Sequence, residues 1–385
     1  MTIAWEAAAS QPSDTLPNPV LESSEFIAQH SSQVSIPPEG IRKAAHHIYE
    51  QLLRQRYSCQ TWKSHPLNPQ HNEPATVDWI FLVDTLNFCF WSDGAVDHDP
   101  EHNRAEPFTV DFQGTAYQGY WALCAAINRA LGEGFPCTSA TFMVEATNDT
   151  WAHIFRSTTA TPIPQWPTRL RIIREAGRIL LDQCGGSIRH ILAAEGERGS
   201  NTKGHPPPVD AVAFIKLIAD RFPSYRDTAT FHGRPVCLYK RAQILVADLW
   251  ACFEGQGYGH FANIDAITMF ADYRVPQALV YVGALAYSDE LLALLRAPKA
   301  RLAPGSPPEV EIRGNSIWAV ELICREIRQI IKQKAAEKDL NDNMAGTSSP
   351  VINPILVDFY LWDMAKASPS EMAHIPIHRT GGYFY

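Results

Sequence analysis

The sequence predicts a mostly α-helical protein with a small β element, and three observations carry that prediction. Apolar residues recur at helical spacing in many segments, as at Ile41, Ala44, Ala45, Ile48 and Leu52. Period-two alternation is scarce, and its clear case is Phe108–Tyr120 (FTVDFQGTAYQGY). The 385 residues are 45% hydrophobic and 19% charged, enough apolar matter for a sizeable core and too little charge for a disordered chain.

In chain order, residues 1–18 are rich in Ser, Pro and Thr and read as an extended or disordered tail. Residues 19–385 then read as one compact domain. Ile41–Leu53 is an amphipathic helix. Val77–Trp91 (VDWIFLVDTLNFCFW) is apolar nearly all round, which predicts a buried segment, helical in preference to extended given its length. Phe108–Tyr120 turns at Gln113-Gly114 and predicts a β-hairpin. Trp121–Leu131 returns to helix. Arg169–Leu181 has helical spacing and stops at Gly185-Gly186, residues suited to a C-terminal cap. Further helices are predicted over Ala211–Phe222, Leu238–Phe253, Pro276–Leu285, Ser288–Leu295, Ser316–Ile331 and Ile355–Met364. Stretches near 196–208 and 303–308 are rich in Pro and Gly, and 335–350 is polar; all three read as surface insertions.

The net charge of −8 argues against a chain built to coat nucleic acid, so no direct nucleic-acid partner is expected. None of the eight cysteines forms a C-x-x-C pair, and most lie in apolar runs, which reads as buried free thiols. No segment approaches the roughly 18 apolar residues of a membrane span, and no apolar leader follows Met1. A cytoplasmic protein is expected. G-x-x-x-x-G-K-[ST], H-E-x-x-H and G-x-S-x-G are all absent. Gly255-Gln-Gly-Tyr-Gly259 lacks a preceding strand and reads as an inter-helix turn in preference to a phosphate loop.

Three acids stand out. Asp272 sits beside Phe270 at the end of an apolar run, where a carboxylate is costly without a partner or a task. It reads equally as a chemical group, as a partner for Arg274, or as a cap for the helix begun at Pro276. Asp358 and Asp363 lie among aromatics in VDFYLWD; five helical residues put them about 140° apart, so they flank one ligand only if one sits at a helix start. Their competing readings are a first-turn acid and a surface ion pair. Lys240 and Arg241 open an apolar helix at the end its dipole disfavours for cations, a mismatch that a bound anion would resolve, though a solvated cationic turn is the commoner case. His65 lies in a turn-rich loop, where a surface role is the commoner one.

Taken together, several segments resemble the queuosine salvage proteins, the queuosine 5′-phosphate N-glycosylase/hydrolases. They include Val77–Trp91, Tyr117–Leu131, Phe222–Asp227 (FPSYRD), Tyr239–Asp248 (YKRAQILVAD), Ile267–Gln277 (ITMFADYRVPQ), Glu309–Gly314 (EVEIRG) and Val357–Asp363 (VDFYLWD). The resemblance runs from about Leu21 to Tyr385. It implies an almost all-helical single domain related in architecture to DNA glycosylases. It also implies hydrolysis of queuosine 5′-monophosphate to queuine and ribose 5-phosphate, for reuse of queuine in tRNA modification. Position by position, the essential aspartate falls on Asp272. The base-binding residues fall on His65, Phe270, Asp358, Asp363 and Phe359, the last usually Tyr in the family. The phosphate-contacting lysine falls on Lys240. The resemblance implies no cofactor, and no His or Cys spacing suggests a metal.

This chemistry is consistent with the residues. Breaking an N-glycosidic bond develops positive charge on the ribose, which one carboxylate can stabilise or attack. Queuine is a 7-deazaguanine, so protonation at N7 cannot assist its departure. Its side-chain amine is cationic and suits carboxylates such as Asp358 and Asp363. The alternatives are a non-catalytic queuine-binding protein and a base glycosylase acting on nucleic acid.

Overall fold

Helices whose buried faces meet in one continuous apolar core make up most of the computed structural model, which describes residues 18–91, 106–198, 208–297, 300–341 and 352–385. In order these are α1 (Pro19–His30), β1 (Val34–Ser35), α2 (Pro38–Arg54), α3 (Pro74–Thr85), β2 (Thr109–Phe112), β3 (Thr115–Gln118), α4 (Tyr120–Gly132), α5 (Ala140–Glu145), α6 (Asn148–Ile154), α7 (Trp166–Gln183) and α8 (Ile188–Arg198). There follow α9 (Ala211–Arg221), β4 (Thr228–Phe231), β5 (Arg234–Cys237), α10 (Lys240–Cys252), α11 (Val275–Tyr281), β6 (Ala286–Tyr287), α12 (Asp289–Arg296), α13 (Pro307–Asn341) and α14 (Pro354–Ala367). The β structure is confined to three antiparallel pairs, β1–β6, β2–β3 and β4–β5.

The hairpin over 109–118 forms as expected. Gln113 and Gly114 both take positive φ (50° and 80°), the conformation a two-residue hairpin loop requires. A second hairpin, β4–β5, was not foreseen; it turns on His232-Gly233 with φ of 45° and 76°. The end of α7 also agrees: Gly185 and Gly186 have positive φ, and the Gly186 amide returns to the Leu180 carbonyl.

Several expectations are corrected. Val77–Trp91 is not one helix: α3 stops at Thr85, and residues 86–91 leave it. The cause is Arg169, fully buried on α7, which donates to the carbonyls of Leu86 (2.5 Å), Phe88 (2.5 Å) and Cys89 (2.8 Å). Those acceptors are satisfied from outside, so the backbone need not stay helical. Asn18, the last residue of the predicted tail, belongs to the folded domain. Asn18 is buried, caps α1 through the Val20 amide and donates to the Ala266 carbonyl at 2.6 Å; residues 1–17 lie outside the description.

The helix over Ser316–Ile331 is the middle of the 35-residue α13. Residues 303–308 are therefore its entry turn, held by the Gly305 amide on Glu309, and 335–341 continue it; 342–351 lie outside the description. Of the 196–208 stretch, 196–198 close α8 and 199–207 lie outside the description. Gly314 lets α13 lie against α1, since a Cβ there would stand 2.6 Å from Ile27 side-chain carbons. All eight cysteines are free, and six of them are buried.

Candidate functional site

Six parts of the chain, with Tyr385, wall a cavity of about 350 Å³, within the range of small-molecule sites. The loop after α2 supplies Tyr57, Trp62, His65 and Asn68. The unwound end of α3 supplies Asn87, Phe88 and Phe90, and the start of α4 supplies Tyr120 and Trp121. One face of α10 supplies Lys240, Ile244 and Asp248. The segment before α11 supplies Phe270, Asp272 and Tyr273, and α14 supplies Asp358, Phe359, Trp362, Asp363 and Lys366. Tyr385 closes one side.

The segment 268–272 is extended because side chains from three helices satisfy its backbone. Gln243 of α10 accepts from the Thr268 amide at 3.0 Å, and Asp358 of α14 accepts from the Phe270 amide at 2.9 Å. Arg313 of α13 donates to the Ala271 carbonyl at 2.9 Å. Asp272 follows, 7% exposed, its Oδ1 accepting from the Arg274 and Val275 amides, each at 2.8 Å. Asp272 thus does support the start of α11. Both of those bonds fall on one oxygen, so this role does not consume the carboxylate. Burial pushes its pKa up, while Lys240 and the two amides pull it down.

Lys240 is 5% exposed, and its Nζ lies 3.4 Å from the Asn87 carbonyl. Burial pulls the ammonium down to about 8, with Asp272 opposing and the Arg241 and Arg313 charges assisting. The mismatch with the helix dipole has an internal answer. Asp227 Oδ2 accepts from the Lys240 amide at 3.1 Å and puts a negative charge at that helix end. Arg241 does not reach the cavity. It is buried, donates to the Thr85 and Ser224 carbonyls, and lies over Phe88 and Tyr225.

Asp358 is not a first-turn acid; Asn353 caps α14, and Asp358 sits a turn further in. Burial, with Asp272 nearby, holds its carboxyl well above the ordinary range. Asp363 is open to the cavity but surrounded by protein, so desolvation raises it while a bond from the Tyr57 hydroxyl opposes. Both acids line the cavity although neither begins the helix, because the cavity wraps around the edge of α14, with Phe359 and Trp362 between them. The rings of Phe270 and Phe359 lie 6.2 Å apart, tilted by 54°, and His65 stacks on Trp121 at 3.3 Å between centroids. The Leu67 amide points at His65 Nδ1, which makes Nε2 the protonated nitrogen. Burial lowers the His65 pKa, favouring this neutral form.

Every residue that the resemblance matched (His65, Lys240, Phe270, Asp272, Asp358, Phe359 and Asp363) lines this one cavity, whereas Arg241 does not. The glycine-rich Gly255–Gly259 does not; it forms a short 3-10 turn packed on α10, the inter-element turn its sequence suggested. Sequence reasoning missed the aromatic walls Tyr57, Trp62 and Trp121, and also Asp248. The signal for Asp248 was present: it lies two turns from Lys240 on one face of an otherwise apolar helix.

Fold and site together define a class: a helical protein with one small-molecule-sized pocket walled by aromatic rings, four aspartates and two lysines, Lys240 and Lys366. The chain belongs to the queuosine salvage protein family, whose profile matches residues 67–385. It is 43% identical over 366 residues to a mouse protein named queuosine 5′-phosphate N-glycosylase/hydrolase, covering 94% of this chain and 98% of the relative. A Schizosaccharomyces pombe protein of that name is 41% identical over 350 residues (90% and 91% covered), and a Sphaerobacter thermophilus one 33% over 367 residues (95% and 97% covered). Among the described residues, no helix is long and apolar enough to cross a membrane.

Proposed function

We propose that this protein hydrolyses the N-glycosidic bond of queuosine 5′-phosphate, releasing queuine and ribose 5-phosphate. The observation that carries the reading is convergence. The residues matched to the family by sequence come from four separate parts of the chain, and all line one cavity.

In this reading Asp272 faces the anomeric carbon and stabilises the positive charge that develops as the base departs. The amide bonds on Oδ1 fix its orientation without neutralising it. Phe270 and Phe359 take the flat base, with the His65–Trp121 stack as a further wall. Asp358 and Asp363 receive the amine and hydroxyls of the queuine side chain. Each charge-assisted bond contributes about 1.5–3 kcal/mol, roughly tenfold or more in preference over an unadorned guanine. Lys240 holds the 5′-phosphate. The test is incubation with queuosine 5′-phosphate and mass detection of free queuine, with queuosine and guanosine 5′-phosphate as comparison substrates. Queuine release from the phosphorylated nucleotide, well ahead of both, supports the reading; no release contradicts it.

A further inference from the structure

We propose that Asp248, backed by the enclosed Asp84, is the acid that protonates the departing base, an inference that rests on the function proposed above. A 7-deaza base leaves with the electron pair of the C1′–N9 bond and has no N7 to take a proton. Some group in the cavity must supply one.

Four carboxyls line the cavity: Asp248, Asp272, Asp358 and Asp363. Asp272 accepts two backbone amides, Asp358 accepts one, and Asp363 accepts the Tyr57 hydroxyl. Each of those donors favours the ionised form. Asp248 differs. It is 4% exposed, its hydrogen bond comes from the Trp62 indole N–H, no backbone amide is bonded to it among the described residues, and the fully buried Asp84 of α3 lies near enough to repel it. Neither Asp84 oxygen has a hydrogen-bond partner among the described residues. Two neighbouring buried carboxyls with a single donor to one of them hold a proton more readily than carboxylates that accept backbone amides, since a bare buried carboxylate is costly. Burial and this neighbourhood agree: Asp248 is raised to about 7, and Asp84 is raised well above its usual range. The groups around the pair are Trp62, Tyr120 and Cys124 of α4, Tyr225, Asp358 of α14, and Lys240, Arg241 and Cys252 of α10; of the two cations, Lys240 acts on both acids and Arg241 on Asp84.

Position supports the role. Lys240, Ile244 and Asp248 share the cavity face of α10. Eight helical residues span about 12 Å, so Asp248 stands roughly one nucleoside length from the lysine that would hold the phosphate. In the step, the C1′–N9 pair goes to the base and the proton on Asp248 moves to a ring atom of the base. Water adds to C1′, and the proton it releases returns to the Asp248–Asp84 pair. The balance is nucleotide plus water giving free base plus ribose 5-phosphate.

The test uses the full chain with queuosine 5′-phosphate and with 4-nitrophenyl β-D-ribofuranoside 5-phosphate, whose nitrophenolate leaves without a proton. For Asp248→Asn, kcat on the nucleotide is expected to fall about a hundredfold or more, and on the nitrophenyl compound less than tenfold. Equal losses on both, or no loss on the nucleotide, overturn the proposal. Asp84→Asn decides independently on the nucleotide alone. Removing the like-charged neighbour is expected to move the alkaline limb of kcat to lower pH, and a limb that stays in place overturns the proposal. Wild-type protein that releases no queuine would instead contradict the parent reading.

Discussion

Arg313 and Asp227 form a buried two-pronged ion pair, Nη1 to Oδ1 at 3.0 Å and Nη2 to Oδ2 at 2.5 Å, that ties the Asp272 segment to the Lys240 helix. On one side Arg313 Nε holds the Ala271 carbonyl, one residue before Asp272. On the other, Asp227 holds the amide of Lys240 with its carboxylate and those of Leu238 and Tyr239 with its carbonyl. Glu309 also pairs with Arg313 at 3.1 Å, and the guanidinium lies 4.1 Å from the centre of the Tyr385 ring that closes the cavity. The separation of the pocket's carboxylate and ammonium is therefore set from behind, by residues of the FPSYRD and EVEIRG segments.

Removing one partner of such a pair strands a buried charge. Asp227→Ala is expected to lower folding stability by about 3–5 kcal/mol, read by denaturant unfolding. Arg313→Lys keeps the charge but loses the fork. It is expected to reduce kcat more than it raises KM, because a ground-state phosphate contact survives a small shift of Asp272 better than the transition state does.

Asp272 also supports α11, and this role separates from chemistry. Asp272→Asn keeps an acceptor for the Arg274 and Val275 amides, so its unfolding midpoint should stay near that of wild type. Asp272→Ala strands both amides and should cost about 1 kcal/mol. Thermal melts of the two variants, side by side, measure the difference.

Lys240 titrates near 8 because it is buried, so its charge is present below that pH and lost above it. The KM for queuosine 5′-phosphate is expected to be flat below about 8 and to rise above it. The KM for unphosphorylated queuosine should lack that rise, and Lys240→Ala should abolish it. For folding the sign is opposite. The unfolded lysine stays protonated to about 10.4, so this group costs stability at neutral pH, and that cost is relieved as pH climbs through the window between the two values.

Phe359 lines the cavity beside Phe270, its ring 6.2 Å away and tilted by 54°, and stacking on a flat base contributes about 1–3 kcal/mol per ring. Phe359→Ala should weaken queuine binding about tenfold, measured by calorimetry. Phe359→Tyr should retain the affinity, because it leaves the ring in place.

The helical class was legible because amphipathic periodicity is a local property. The end of α3 was not: Arg169, some 80 residues away, takes the carbonyls that would otherwise extend the helix. The β4–β5 hairpin lay in strands of four residues each, too short for alternation to stand out, although His232-Gly233 was a usable turn signal. The reach of α13 escaped notice because its polar end lacks an apolar stripe. At the site, Lys240, Asp272 and the α14 acids were legible as charges among apolar neighbours. Their grouping depended on the resemblance, since nothing local says that residues 65, 240, 272 and 358 meet. Asp84 looked like an ordinary member of an apolar helix, and only the packing of α3 on α10 brings it near Asp248.

The most direct test of the central claim is a single-turnover assay of queuine release from queuosine 5′-phosphate by wild-type protein and by Asp272→Asn. The account predicts release by wild type and a loss of about a thousandfold in the variant, with folding intact. Wild-type release rates from a folded Asp272→Asn protein would contradict it.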